Sequence, residues 1–213
     1  MLVERTVRSF LAELGSEAPA PGGGSAAALA GAAAASLCAM VCRLTLARES
    51  LRTAWPAMQS ALPECEALQA RLARLVDDDS EAYLAVAAAL RLPRDTAEQK
   101  EARRAAVQAS AIRAAQVPLE TLEAVRAAVR IAEVLVEEGN PSCSTDVGSA
   151  GALCRAGAEA AAYNVRVNLP SIKDAAARRP LGDRAREALA EIRAAADRIA
   201  KRTEERLEER SKG

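Results

Sequence analysis

Long alanine-rich segments are the feature that most restricts the fold of this chain. Leucine, arginine and glutamate accompany the alanines, whereas aromatic side chains make up only 2% of the 213 residues. Alanine has the highest helix propensity, and strands favour the β-branched and aromatic residues that are scarce here. The sequence therefore predicts an all-α fold, a bundle of long helices without a sheet.

Turn residues, capping residues and apolar periodicity predict the limits of the helices. The predicted helices cover approximately residues 3–14, 26–42, 55–91, 96–138, 146–169 and 181–209. Gly15 ends the first of them and Asp146 caps the fifth. The fourth begins with a capping box at Thr96, ends at Gly139, and is expected to be kinked or interrupted at Pro118. No polar or low-complexity linker divides the chain, so residues 1–213 are predicted to form a single domain.

Charge and hydropathy exclude several classes of partner. Acidic and basic side chains balance at 29 each, so no net positive field would attract nucleic acid. The apolar run Ala26–Cys42 is just shorter than a bilayer requires and is mostly alanine, which predicts a buried central helix and no membrane partner. Residues 1–10 alternate charged and apolar side chains and lack a secretory pattern, so we expect a cytoplasmic protein.

Five cysteines occur without a CxxC spacing in a chain that has no histidine. Cys38 and Cys42 are one helical turn apart, but two thiols without histidine or carboxylate partners make a poor zinc site. We therefore expect reduced, buried cysteines and no metal. Since histidine is missing, any acid or base must be a carboxylate, lysine, tyrosine or thiol.

Three consecutive aspartates, Asp77, Asp78 and Asp79, lie on different faces of one predicted helix. At 100° per residue, Asp79 falls within an apolar stripe of about 80°. The other members of this stripe are Leu72, Val76, Tyr83, Val86 and Leu90. Asp77 and Asp78 point away from the stripe and are predicted to be surface charges. Burial and the two neighbouring charges should raise the pKa of Asp79 toward the range useful for proton transfer.

Two interpretations of Asp79 remain open from the pattern alone. A buried aspartate can transfer a proton, or it can cap or bridge helices without a chemical role. Tyr83, one turn further on, could orient Asp79 or stack on a planar ligand, although filling the core is the more common role of such a tyrosine.

The segment Pro21-Gly22-Gly23-Gly24-Ser25 forms a turn ahead of the apolar run. Glycine N–H groups can approach an anion at a helix N-terminus, and Ser25 is predicted as the N-cap of that helix. No Gly-Lys-Ser/Thr follows, so the segment is not a Walker loop. It predicts either a loop that binds a phosphate or carboxylate, or a tight turn.

Two polar segments in the second half of the chain are further candidates. Residues 139–146 include Asn140 and Asp146, which could bind a ligand, although capping and Asx turns would explain most of this segment. Asn164 and Asn168 share a helix face with small residues, where a flat ligand could lie. Arg166 projects to the opposite side of the same helix.

Five runs cover most of the chain in a fixed order: PAPGGGSAAALAG with MVCRLT, DDDSEAY with LRLPRDTAEQK, QVPLE, EEGNPSCSTDVGSA, and AAYNVRVNLPSIKD. In order and spacing they resemble the cyclodeaminase domain of formiminotransferase-cyclodeaminase and its stand-alone bacterial relatives, which include methenyltetrahydrofolate cyclohydrolases. The resemblance implies a homodimer that acts on a tetrahydrofolate derivative, with no metal and no cofactor beyond that substrate. It also implies that Asp79 is the catalytic aspartate.

Three hypotheses of function follow. The first is a lyase, formiminotetrahydrofolate cyclodeaminase, which forms 5,10-methenyltetrahydrofolate and ammonia by acid–base catalysis from Asp79. Its predicted substrate-binding residues are Pro21, Gly22, Gly23, Gly24, Ser25, Tyr83, Asn140, Asp146, Asn164 and Asn168. The second is a hydrolase, methenyltetrahydrofolate cyclohydrolase, which uses the same pocket. The third, of another class, is a non-catalytic helical interaction protein.

Overall fold

The computed structural model describes residues 1–211. Most of these residues are helical, and none of them forms a strand. The α-helices are α1 Val7–Leu14, α2 Gly23–Leu46, α3 Trp55–Arg91, α4 Ala97–Glu138, α5 Ser144–Asn168 and α6 Ala175–Ser211. Single 3-10 segments precede α3 and α5 and follow α5. The predicted all-α fold is confirmed, whereas a single domain over all 213 residues stays a prediction.

Helix α2 is the central helix, and it packs against α3, α4 and α5. A methyl group added to Gly31 would lie 2.8 Å from Val125 of α4 and 3.0 Å from Leu72 of α3, so glycine is needed for this close approach. By length and composition α2 could span a membrane, but most of the helix is buried inside the bundle. The prediction of a buried central helix is confirmed.

Several predicted helix limits agree with the structure. Helix α3 has the expected limits, and Thr96 and Gln99 form the expected capping box at the start of α4. The glycines at positions 15 and 139 are the C-caps of α1 and α4. Helix α4 is not interrupted at Pro118 and runs through it.

Besides α2, which begins at Gly23 and not at Ala26, three predicted N-termini are wrong. Helix α1 begins at Val7 because the side chain of Thr6 accepts a bond from the N–H of Ser9. Helix α5 begins at Ser144, so Asp146 lies in its first turn and is not the N-cap. Helix α6 begins at Ala175, six residues earlier than expected, and runs through Pro180. The predicted starts of α1 and α6 are apolar residues, Val3 and Leu181. In the structure Thr6 caps α1, and Asp174 accepts a hydrogen bond from the N–H of Ala176 at the start of α6.

The charged last helix packs on the bundle as predicted. Ile192 and Ile199 of α6 are fully buried, and Leu189 packs against the core. Arginines of α6 form ion pairs with α4 and α5, such as Arg193–Glu159 at 2.5 Å and Arg198–Glu133 at 2.6 Å. Exposed pairs contribute little free energy, so burial of the isoleucines holds α6 in place.

The five cysteines are free and buried, as predicted. A hydrogen bond with the Cys38 thiol, together with burial, raises the pKa of Cys65 to about 12, so this thiol stays protonated near neutral pH. Among residues 1–211, no three histidine, cysteine or acidic side chains lie close enough to hold a metal ion.

Candidate functional site

A cavity of about 390 Å³ opens where the N-terminus of α2 meets the middle of α3 and the C-terminal end of α5. This volume lies within the range of small-molecule sites in proteins. The lining residues are Pro19, Ala20, Gly22, Gly23, Asp79, Ser80, Ala82, Tyr83, Val86, Ala114, Asn164, Val167 and Asn168. The cavity therefore brings together six of the residues predicted from the sequence.

The carboxyl group of Asp79 lies directly against the first turn of α2. The Ser25 hydroxyl lies 3.1 Å from Asp79 Oδ2, 2.8 Å from the Val76 carbonyl oxygen and 3.1 Å from the Ser80 hydroxyl. A methyl group added to Gly24 would overlap the carboxyl group, at 2.5 Å from Cγ and 2.7 Å from Oδ2. Only glycine at position 24 leaves room for the carboxylate.

This arrangement corrects the predicted role of Ser25. Helix α2 begins at Gly23 with Gly22 as its N-cap, and Gly22 has no side chain to accept a bond from the first turn. Ser25 is therefore a buried residue of the first turn and not the N-cap. Asp79 supplies a negative side chain from α3 at the place where an N-cap would stand, which the helix dipole favours.

Burial raises the pKa of Asp79 above the ordinary value of an aspartate, while the hydroxyl and backbone N–H of Ser25 partly oppose this shift by favouring the ionised form. The predicted direction of the shift is thus borne out, but its cause is desolvation alone, without a contribution from Asp77 or Asp78. A raised pKa brings a carboxyl group closer to the range in which a general acid or base works near neutral pH.

The other two aspartates do not behave as a pair of surface charges. Asp78 faces Arg113 of α4 at 3.5 Å, with 27% of its side chain exposed. Asp77 is more deeply buried, with 8% exposed, and accepts a hydrogen bond from the backbone N–H of Leu2. The prediction for Asp77 was wrong because the N-terminal residues cover this side of α3, which a helical projection does not include.

Asn164 and Asn168 of α5 both donate their side-chain N–H groups to backbone carbonyls. Asn164 Nδ2 lies 2.8 Å from the Ala160 oxygen, and Asn168 Nδ2 lies 2.9 Å from the oxygens of Asn164 and Ala114. Within residues 1–211, no group donates to the Oδ1 atom of either asparagine. Both oxygens therefore remain available to accept hydrogen bonds from a ligand.

Pro118 explains why Asn168 can reach across to α4. A proline within a helix has no N–H group, so the carbonyl four residues earlier loses its helical partner. In α4 this carbonyl belongs to Ala114, which accepts the hydrogen bond from Asn168 instead. The proline of the QVPLE run thus fixes the orientation of a side chain that lines the cavity.

Tyr83 lies at the rim of the cavity, and 49% of its surface is exposed. Its interpretation as core filler is therefore wrong. The last turns of α3 extend beyond the packed bundle, so Leu90 is 51% exposed although it lies on the predicted apolar stripe. Tyr83 and Val167, which is 70% exposed, offer apolar surface on opposite sides of the opening.

Asn140 and Asp146 lie outside the cavity. The Asn140 backbone N–H donates to the Thr45 hydroxyl at 3.0 Å, and its side chain accepts from the N–H of Ser142. Thr45 is at the C-terminal end of α2, so about 30 Å of helix separates this region from Gly24. Asn140 therefore has a structural role here as a buried turn residue.

Pro21 follows a cis peptide bond with Ala20 and is buried beneath the loop that leads into α2. Seven lining residues were not predicted as site residues from the sequence: Pro19, Ala20, Ser80, Ala82, Val86, Ala114 and Val167. Ser80 had a usable signal, because it lies four residues after Val76 and three before Tyr83, two members of the apolar stripe. Ala114 had none, because its part in the site depends on the contact between α4 and α5.

Substitution of Ser25 by alanine should shift the pH dependence of any reaction that uses Asp79. The variant loses the hydroxyl that favours the ionised carboxylate, so the pKa of Asp79 should rise further. The limb of the kcat/KM profile that reports ionisation of Asp79 should move to higher pH. Ser36→Ala, which removes a hydroxyl bonded within α2, is the matched control and should leave the profile unchanged. An unchanged profile for Ser25→Ala would contradict the coupling.

Comparisons with known proteins agree with this geometry. Residues 6–187 match the family model described as Formiminotransferase-cyclodeaminase. A Methylorubrum extorquens protein named methenyltetrahydrofolate cyclohydrolase is 37% identical over 83% of this chain and 85% of its own length. The formimidoyltransferase-cyclodeaminase of Sus scrofa is 34% identical over 96% of this chain, which spans only 38% of that longer protein. The crystal structure of formiminotetrahydrofolate cyclodeaminase from Thermotoga maritima superimposes with a TM-score of 0.87 at 25% identity, covering 97% of this chain and all of that one.

Proposed function

The chain belongs to the formiminotransferase-cyclodeaminase family, and from this premise we propose that it catalyses the cyclisation of 5-formiminotetrahydrofolate to 5,10-methenyltetrahydrofolate and ammonia. The observation that carries the proposal is the Asp79 carboxyl group, which lines a ligand-sized cavity and has a raised pKa. The structural similarity to the cyclodeaminase from Thermotoga maritima supports this choice of reaction, because it extends over the whole of that protein.

The reaction requires two proton transfers that one carboxyl group can perform. N10 of the folate attacks the carbon of the protonated formimino group (–CH=NH2+), and the ionised Asp79 accepts the proton that N10 loses. The bond between this carbon and the terminal nitrogen then breaks, and the protonated Asp79 returns the proton to the departing nitrogen, which leaves as ammonia. The desolvation that raises the pKa of Asp79 favours its protonated form, the form that returns the proton.

Groups around the carboxylate can hold the pterin ring in place. The free Oδ1 atoms of Asn164 and Asn168 can accept bonds from pterin N–H groups, and the first-turn N–H groups at Gly23 and Gly24 can donate to its carbonyl oxygen. Tyr83 presents an aromatic face at the opening, on which a planar ring can stack. Holding N10 against the formimino carbon supplies much of the rate increase in such a reaction.

A second candidate is the hydrolysis of 5,10-methenyltetrahydrofolate to 10-formyltetrahydrofolate. The identity to the cyclohydrolase of Methylorubrum extorquens, which extends over most of both chains, favours it specifically. In this reaction Asp79 accepts a proton from the water that attacks the bridging carbon and returns it to N5 as the bond from this carbon to N5 breaks. The new hydroxyl group loses its remaining proton to solvent as the formyl carbonyl forms. The cavity is the same, and only the attacking and leaving groups differ.

Assays with both folates distinguish these reactions, because the methenyl bridge absorbs light that the open forms do not. With 5-formiminotetrahydrofolate as substrate, we expect the methenyl absorbance to increase while ammonia is released. With 5,10-methenyltetrahydrofolate as substrate, a decrease in this absorbance faster than the spontaneous rate would indicate the hydrolase. Inactivity of the purified, folded protein with both compounds would overturn the proposal and favour the interaction protein. The homodimer and the cytoplasmic location predicted from the sequence stay predictions.

A further inference from the structure

A second cavity, of about 680 Å³, lies between the C-terminal end of α5 and the first turns of α6. Its floor is apolar and includes Leu169, Pro170 and Gly182. A methyl group added to Gly182 would lie 3.1 Å from Leu169 Cδ1, which shows how closely α6 crosses the segment that follows α5. The result is an open cleft that can accommodate a flat, apolar group.

Arginines surround this cleft. Arg166, Arg178, Arg179 and Arg186 line it together with a single acidic residue, Asp183, so the lining carries three more positive than negative charges. Asp183 pairs with Arg186 at 2.5 Å and with Arg179 at 3.6 Å, and Arg178 reaches only the Ile172 carbonyl oxygen at 3.4 Å.

Arg166 has no ion pair or hydrogen bond within residues 1–211. Guanidinium groups bind carboxylates in a bidentate way, and unpaired ones retain this capacity. The cleft is therefore suited to a molecule that joins an apolar ring to carboxylate groups.

The cleft adjoins the cavity that contains Asp79. Val167 and Asn168 line the first cavity, while Arg166, Leu169 and Pro170, their neighbours in the chain, line the second. Both cavities are lined by residues of the same end of α5, and Val167, which lines the first cavity, is 70% exposed. A helix with its side chains is about 10 Å across, so a ligand extended around this helix end could occupy both cavities.

We propose that the arginine cleft binds the glutamate carboxylates of the folate while the pterin occupies the cavity of Asp79. This inference rests on the proposed function. A tetrahydrofolate carries a benzoyl ring followed by a glutamate with two carboxylates, or by a chain of several glutamates. The ring passes over Val167 onto the apolar floor, and the carboxylates meet Arg166 and Arg186. Arg166, which points away from the asparagines, thereby binds the distal part of the same ligand.

The double variant Arg166→Ala/Arg186→Ala tests the inference with the intact protein. We expect KM for 5,10-methenyltetrahydrofolate triglutamate to rise about tenfold or more with little change in kcat, because only distal binding is lost. The corresponding tetrahydropteroate compound, which lacks glutamate, should show the same KM in both proteins. The control Arg155→Ala/Arg198→Ala removes two arginines that form exposed ion pairs on the same helices and should leave both KM values unchanged.

The outcomes separate this inference from the function on which it rests. If the wild type turns over the folate but the double variant has an unchanged KM for the triglutamate, the cleft is not the tail site and the proposed function stands. An equal rise in KM for the compound without glutamate would also overturn the inference. If the wild type neither turns over nor binds either folate in a calorimetric titration, the proposed function fails and the inference fails with it.

Discussion

Asp79→Asn is expected to lower kcat by about a thousandfold, within the range of roughly 10²–10⁴ that a positioned acid or base contributes. Asparagine has the shape of aspartate and keeps an oxygen that can accept the hydrogen bond from Ser25, but it cannot exchange a proton. The measurement is the rate of change of methenyl absorbance at saturating folate. Asp78→Asn, which alters the adjacent carboxylate paired with Arg113, is the matched control and should stay within about twofold of the wild type.

Stability separates a catalytic role of Asp79 from a purely structural one. Burial raises its pKa in the folded state, so an ionised Asp79 destabilises the fold near neutral pH. Asp79→Asn should therefore unfold at a higher temperature than the wild type near pH 7. This difference should decrease as the pH falls through the folded-state pKa and vanish below the ordinary aspartate pKa of about 3.9. An Asp79→Asn protein that is unfolded near pH 7, or one that keeps more than a tenth of the wild-type kcat, would contradict the catalytic role.

Gly24→Ala is expected to damage both stability and activity. The added methyl group would overlap the Asp79 carboxyl group, so either the carboxylate or the first turn of α2 must move. Overpacking of this kind costs about 1–3 kcal/mol of the free energy of unfolding. Displacement of a catalytic group by about 1 Å can reduce the rate by about a hundredfold. Thermal unfolding and the methenyl assay measure the two effects.

Gly22→Ala is the matched control for this substitution. Gly22 is two residues earlier in the same loop, and a methyl group there meets no atom within 4 Å. Its φ of −132° is available to alanine, so the cost should be limited to that of a poorer N-cap, about 0.5–1 kcal/mol. Equal stability and activity of the Gly22 and Gly24 variants would show that the carboxyl group of Asp79 does not rest against α2.

Local sequence signals predicted a large part of the fold and the face of α3 on which Asp79 lies. The limits of α3 and the capping box of Thr96 depend on residues within a few positions, which is why they could be read without tertiary information. The position of Asp79 could be predicted because Val76 and Leu72, one and two turns earlier on the same face, are buried as the periodicity requires.

Contacts between distant segments could not be read in the same way. The burial of Asp77 depends on Leu2, 75 residues earlier in the chain. The local sequence predicts Ser25 as an N-cap. In the structure the carboxyl group of Asp79 lies against the N-terminus of α2, and the helix begins two residues earlier, at Gly23. The orientation of Asn168 requires a carbonyl of α4 that Pro118 has released.

A crystal structure of the Asp79→Asn variant with bound 5,10-methenyltetrahydrofolate is the most direct test of the central claim. Our account predicts that the pterin lies between the first turn of α2 and Asn164. The side chain of residue 79 should lie within about 2.6–3.2 Å of N5 or N10 of the folate, or of a water molecule beside the bridging carbon. A folate bound elsewhere on the protein, or one separated from residue 79 by other protein atoms, would contradict it.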